Sequence, residues 1–223
     1  MSNKLSGRSR IGTDEAGKGD YFGDLVIAGV WADRKVEDTL AGLEVCDSKR
    51  LSDNRVKELA ERIQDLCLVE VVRIGPQRYN ELHTKLGNLN VLLAWGHARV
   101  IENLLAKAET ELVVSDQFGD ERYLRRALME RGRQIELVQM ARAESDLAVA
   151  AASIVARAIF LASLARLSSE VGMKLPKGAV HVYGAARQLY ERGGLELLGQ
   201  VAKVHFKTTQ SVISSGPLIN KEH

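Results

Sequence analysis

Ile11-Gly-Thr-Asp-Glu-Ala-Gly-Lys-Gly-Asp-Tyr-Phe-Gly23 decides how the rest of the chain is read. A short strand-like run ends in two adjacent carboxylates, Asp14 and Glu15, and a lysine between glycines follows directly, Gly17-Lys18-Gly19. Side-by-side carboxylates in a cleft repel each other and cost free energy unless positive charge joins them, and a divalent cation is the usual partner. The glycines leave backbone N–H groups open to close approach by a phosphate. Acids, cation and phosphate together point to phosphodiester chemistry.

Outward from this stretch, Arg10–Asp14 reads as a first strand and the apolar, β-branched Asp24–Ala32 as a second. Only the glycine turn separates them, which predicts antiparallel neighbours. Ser52 reads as the N-cap of a helix to about Gln64, with Val56, Leu59, Ala60 and Ile63 on one face. Cys67–Ile74 is a third strand, broken by Gly75-Pro76, and helices over about Gln77–Leu86 and Leu89–Ala108 follow. Leu112–Ser115 is a short fourth strand ending at Asp116, Tyr123–Glu130 a helix, and Ile135–Met140 a fifth strand. From Ser145 the pattern is helical and Ala-rich to about Ser169. Two shorter helices, about Ala179–Arg192 and Leu195–Ala202, precede a polar tail. Strands, then alternating strands and helices, then helices alone describe an α/β sheet with a helical C-terminal appendage.

Four acids stand at element ends. Asp14 and Glu15 close strand one, Asp116 closes strand four, and Glu144 opens the long helix. Acids at the carboxyl ends of strands in an open α/β sheet face the usual ligand crevice. If strands one and four are adjacent, Asp14 and Asp116 face the same space. Two metal ions about 4 Å apart on such acids activate water and stabilise a leaving oxygen; oxygen donors suit Mg²⁺ or Mn²⁺ rather than zinc. On spacing alone Asp116 reads equally as a cap or turn acid and Glu144 as a first-turn helix acid, and Asp120 and Asp146 compete with them.

The bulk properties narrow the classes. Hydrophobic residues make up 45% of 223, and only 3 are Pro, so long disordered linkers are not expected. The net charge is +2, unevenly spread: residues 1–156 carry 22 Lys and Arg against 25 Asp and Glu, and residues 157–223 carry 9 against 4. A basic C-terminal part beside an acidic cluster fits a polyanion-binding flank next to a metal site. Cys46 and Cys67 have neither CxxC spacing nor a nearby His and read as small hydrophobes in a reducing compartment. No secretory signal is legible and no apolar run reaches the roughly 18 residues that span a bilayer, so the expectation is a cytoplasmic protein with no membrane segment, by default a monomer.

At these residues the chain resembles the type 2 ribonucleases H and, within them, ribonuclease HIII. The resemblance runs from about Ile11 to Lys207. It is carried by Gly12–Gly23, Asp47-Ser-Lys-Arg-Leu-Ser52, Asn88-Leu-Asn90, Leu92-Leu-Ala-Trp-Gly-His97, Asp116-Gln-Phe118, Ala143-Glu-Ser145, Ala150-Ala-Ala-Ser-Ile154, Leu175-Pro-Lys-Gly178 and Ala202-Lys-Val-His-Phe206. It implies a ribonuclease H-like fold with a five-stranded mixed sheet, strand two antiparallel, and helices on both faces. The whole chain, 1–223, then forms one catalytic domain whose residues from about 173 are a basic helical C-terminal region. It implies Asp14, Glu15, Asp116 and Glu144 as catalytic acids and metal ligands, the fourth in the glutamate form of the HIII branch. The implied reaction is endonucleolytic cleavage of the RNA strand of an RNA–DNA hybrid with two Mg²⁺ or Mn²⁺ ions, leaving 5′-phosphate and 3′-hydroxyl ends. An HII-like cutter at single ribonucleotides in duplex DNA is the alternative.

Two departures bear on substrate. The HII pattern Gly-Arg-Gly is Gly17-Lys18-Gly19 here, and its Lys-Gly-Tyr becomes Lys177-Gly178-Ala179, so junction reading by that ring is expected to be weak. Typical HIII proteins also carry an N-terminal substrate-binding extension, whereas about ten residues precede the first strand. Candidate nucleic-acid contacts are Gly17, Lys18 and Gly19 around the cut, Ser48 and Lys49 in a polar loop, Asn90 near a helix start, and Lys177. Lys174, Arg187 and Lys203 are weighed as further phosphate-tracking cations. Ser153 reads as a packing residue, and His181 and His205 as structural.

Overall fold

In the computed structural model residues 7–46 and 48–215 are described. Five strands, β1 (Arg10–Ala16), β2 (Leu25–Ala32), β3 (Leu68–Ile74), β4 (Leu112–Asp116) and β5 (Glu136–Met140), form one mixed sheet in the order β3-β2-β1-β4-β5. β2 runs antiparallel to β1 and β3, and β1, β4 and β5 are parallel. The described helices are α1 (Arg34–Gly42), α2 (Asp53–Leu66), α3 (Pro76–Leu86), α4 (Leu89–Leu105), α5 (Glu121–Ala127), α6 (Leu147–Glu170), α7 (Tyr183–Val201) and α8 (Lys207–Ser214).

Both faces of the sheet are covered, which is why β2 is an almost unbroken apolar run rather than an alternating one. One core packs Val26, Ala28 and Val30 against α6 and α2; the other packs Leu25 and Ile27 against α4 and α3. Two glycines set how closely helices approach. A Cβ on Gly12 would stand 2.3 Å from the Ala148 backbone of α6, and one on Gly29 would stand 2.4 Å from Val100 of α4. With parallel register Ile11↔Val113, Gly12↔Val114 and Thr13↔Ser115, Asp14 and Asp116 end neighbouring strands.

α6 departs from the expectation that no run is long enough to cross a bilayer: by length and composition it suffices, yet 72% of its most apolar window is buried inside the fold. It is apolar all round because it is a core helix, flanked by β1, β2 and α2. Other differences lie in polar stretches. α1 was not expected; Asp33 caps it by accepting from the Val36 N–H at 2.8 Å. α8 replaces part of the polar tail, burying Thr209 and Val212. α7 begins at Tyr183 rather than Ala179, while the expected division into two helices is borne out by non-helical backbone at Gly193 and Gly194. Glu144 does not open the long helix: it lies in a separate 3-10 turn, Ala143–Ser145, and Asp146 caps α6. Asp47 of the quoted motif and residues 216–223 of the C-terminal region lie outside the described residues.

Candidate active site

Side chains alternate across a strand, so adjacent Asp14 and Glu15 serve opposite faces of the sheet. Asp14 turns to α6, where the Ser153 hydroxyl hydrogen-bonds it, and Ser153 in turn meets Ser48 at 2.8 Å. Glu15 turns to α4, where His97 Nε2 lies 3.2 Å from its Oε2. Its Oε1 has the Lys18 ammonium at 3.4 Å, and that ammonium also donates to the Phe118 carbonyl at 3.3 Å. The Glu15 N–H donates to Asp14 Oδ1 at 2.7 Å.

The two carboxyls are driven apart electrostatically. Burial, then the charge of Glu15 and, more weakly, of Asp116, pushes Asp14 up to about 8. Burial opposes charge on Glu15 too, but His97 and Lys18 outweigh it and hold Glu15 below the usual carboxylate range. Asp116 Oδ1 accepts from the Ala143 N–H at 3.0 Å. That amide is presented by Arg142 in left-handed backbone (φ 57°), a conformation uncommon outside glycine. The turn bearing Glu144 is thereby tied to Asp116.

These groups open onto a cavity of about 480 Å³ lined by Asp14, Glu15, Asp116, the Gly17-Lys18-Gly19 turn, Ser48, Lys49 and Lys177, together with Ser153, Arg157 and Gln117. Nine of the eleven residues singled out in the sequence therefore share one cavity. Glu144 and Asn90 do not line it. Asn90 lies behind the loop after β4, where its amide would touch a Cβ on Gly119 at 3.0 Å. A larger cleft of about 700 Å³, lined by Arg8, Glu109 and Arg131, sits at the opposite end of the sheet and contains none of these residues.

The donor set is all oxygen, suited to a hard divalent cation, and the raised Asp14 carboxyl marks negative charge that the chain leaves unbalanced. The residues therefore fit such an ion. Among the described residues no three acid, His or Cys side chains form a ready-made metal cage: Glu15 is engaged by His97 and Lys18, Asp14 by Ser153, and Asp116 by Ala143.

Sequence reading missed several neighbours. Ser153 is a hydrogen-bonding residue on Asp14, not mere packing. His97, within a quoted motif but given no role, is fully buried against Glu15. Arg157 donates to the Ser48 carbonyl and to Asp53 at 2.8 Å, and the same Asp53 carboxylate holds Lys177 at 2.6 Å. Lys203 is no surface cation: it is wholly buried, donates to the carbonyls of Asp20 (2.9 Å) and Gly23 (2.6 Å), and burial lowers it to about 8. Arg187 pairs with Glu191 at 2.6 Å on α7. His181 and His205 do not line the cavity; His205 stacks on His83 with ring centres 4.2 Å apart. For Ser153 and Arg157 the faint signal was polarity inside an otherwise apolar helix.

Comparison with known proteins agrees with this geometry. The family model for ribonuclease HII matches residues 11–209. Ribonuclease HIII of Protochlamydia amoebophila (strain UWE25) is 43% identical over 213 residues, 95% of this chain and 71% of its own length. Ribonuclease HIII of Chlamydia pneumoniae is 44% identical over 211 residues, 93% of this chain and 71% of its own. The crystal structure of Bst-RNase HIII in complex with Mn²⁺ superposes with a TM-score of 0.87 at 35% identity, covering 96% of this chain and 72% of that one. RNase H3 of Aquifex aeolicus superposes with a TM-score of 0.74 at 32% identity, covering 91% and 74%. The sheet order, the paired acids at its carboxyl end and these matches have one reading: the chain belongs to the type 2 ribonuclease H family, on its ribonuclease HIII side.

Proposed function

We propose that the protein is an endoribonuclease that cleaves the RNA strand of RNA–DNA hybrids, leaving 5′-phosphate and 3′-hydroxyl ends. The observation that carries this is the crowding of Asp14 by Glu15 and Asp116 in a cavity walled by a glycine turn and lysines. Asp14, Glu15 and Asp116 of the cavity would hold two divalent ions, Mg²⁺ or Mn²⁺, with Glu144 joining them from the turn tied to Asp116. When bound, the ions supply a water of lowered pKa and charge neutralisation at the scissile phosphate. The chain's own part is positional. The N–H groups of Gly17 and Gly19 and the Lys18 ammonium receive the phosphate backbone at the cut, while Ser48, Lys49 and Lys177 track further phosphates and Asn90 supports the loop after β4. A hybrid is told from DNA by its 2′-hydroxyls and from RNA by its other strand.

Cutting at a single embedded ribonucleotide is disfavoured on two grounds: Ala179 stands where the HII pattern has tyrosine, and the relatives are named ribonuclease HIII. A monomer working in the cytoplasm completes the reading. The test is cleavage of a long hybrid and of a duplex with one ribonucleotide, in Mg²⁺ and in Mn²⁺, by the wild type and Asp14→Asn. Metal-dependent cutting of the hybrid that Asp14→Asn abolishes supports the proposal; undiminished cutting by the variant ends it, and preference for the single ribonucleotide would favour the HII alternative.

A further inference from the structure

α4 is an apolar helix, and its buried polar residues are His97 and Glu102. Glu102 has a plain structural duty, accepting from the Gly132 N–H at 2.7 Å and the Arg131 N–H at 3.3 Å. His97 has none of that kind. Its fully buried ring touches two residues of β1 on the same face: Nδ1 lies 3.0 Å from the Thr13 hydroxyl and Nε2 lies 3.2 Å from Glu15 Oε2. Its flat side stacks on Phe118, ring centres 4.7 Å apart and planes 18° from parallel. Phe118 is two residues past Asp116.

The Glu15 carboxylate only accepts, so Nε2 carries a proton and donates to it; the Thr13 hydroxyl, which both donates and accepts, pairs with Nδ1. Two hydrogen bonds and a stacked ring leave the imidazole no rotational freedom. The two oxygens of Glu15 are consequently unequal. Oε2 is held by a rigid donor on the α4 side, whereas Oε1, among the described residues, meets the long 3.4 Å contact from Lys18 at the cavity wall. Through Phe118 the same ring braces the loop that follows Asp116.

We propose that His97 is a positioning residue that fixes the Glu15 carboxylate so that Oε1 is presented to a divalent cation. This rests on the metal-dependent nuclease reading above. Outer hydrogen-bond partners of metal ligands are worth about 10–100-fold in metal affinity.

Two substitutions separate the ring's two contacts. A glutamine amide reaches the place of Nε2 and keeps a donor on Glu15; an asparagine amide reaches only the place of Nδ1 and leaves Oε2 bare. Mn²⁺ binding is measured by calorimetry on the full chain without nucleic acid, beside melting in EDTA, for wild type, His97→Gln and His97→Asn. The expected result is a Mn²⁺ Kd raised about 10–100-fold in H97N and within about threefold of wild type in H97Q, with similar melting of the two metal-free variants. Equal loss in both, or loss in neither, overturns the proposal, because a merely structural histidine does not distinguish which nitrogen is replaced. If H97N does not fold, Thr13→Val decides: it frees Nδ1 while keeping the side chain's shape, and a raised Mn²⁺ Kd supports the role whereas a wild-type Kd overturns it. A wild type that binds no Mn²⁺ sinks the nuclease reading itself, a result distinct from indistinguishable variants.

Discussion

The two ends of β1 handle buried charge in opposite ways. At its start Arg10, nearly inaccessible, is matched by two acids: Asp146 at 2.6 Å and Glu37, with Arg8's carbonyl at 3.1 Å taking a further N–H. That cluster is complete, and its opposing charges raise the arginine's hold on its protons despite burial. Four residues on, Asp14 has acids for neighbours and its carboxyl is pushed up to about 8, first by burial. One end of the strand is finished by the chain; the other is left short of positive charge. Electrostatic balance marks structure and imbalance marks chemistry.

The sharpest way to break the contrast is Asp14→Asn. Cleavage of a hybrid should fall about 10³-fold or more, the several kcal/mol that bound metal contributes. Stability should move the other way. Native Asp14 keeps its proton to about 8 whereas the unfolded residue loses it near 3.8. Between those values the native state binds more protons, so metal-free stability falls as pH rises from about 4 to 8. Urea unfolding in EDTA should show that slope in the wild type and lose part of it in the variant. Arg10→Met attacks the balanced end: with Asp146 and Glu37 left unpaired, unfolding free energy should drop by about 3–5 kcal/mol, read by the same denaturation. Gly12→Ala tests the scaffold between the ends. A methyl 2.3 Å from the α6 backbone should cost about 1–3 kcal/mol and, by shifting Ser153 away from Asp14, weaken Mn²⁺ binding in calorimetry. The smallest effect belongs to Asp53→Ala. Asp53 is held below its usual range, chiefly by the hydrogen bond from Lys177, and its loss releases Lys177 and leaves Arg157 on the Ser48 carbonyl. Hybrid binding by a catalytically silent background should tighten about two- to fivefold at low salt, the scale of a surface ion pair, and the gain should vanish as salt rises.

Much of this contrast was legible in the chain, and the reason is periodicity. β1 to β5 announce themselves as short apolar runs, with glycine or proline close to the ends of β1, β2 and β3, and the acids at Asp14 and Asp116 fall where those runs stop. α1 was hidden because four of the nine residues of Arg34–Gly42 are charged and Leu40 is its one buried residue. α8 was hidden because its sequence, KTTQSVIS, is polar and gains order from Thr209 meeting the Tyr21 hydroxyl at 2.9 Å. Glu144 was misplaced by three positions of ambiguity at one helix start, which Asp146 resolves by accepting from the Ala148 and Val149 N–H groups. His97 and Lys203 were opaque for a different reason. A polar residue looks the same in sequence whether water or a carbonyl receives its proton, and only the packing of distant segments decides.

Lys203 gives that packing a clock. Its amine is sealed beneath the glycine turn, tying Asp20 and Gly23 to the segment between α7 and α8. An acylating reagent should leave it untouched in the closed molecule while surface lysines react at once. The rate at which Lys203 finally takes the label, followed by mass spectrometry, would therefore time how often the C-terminal layer lifts away from the loop, with no nucleic acid present to bias the count.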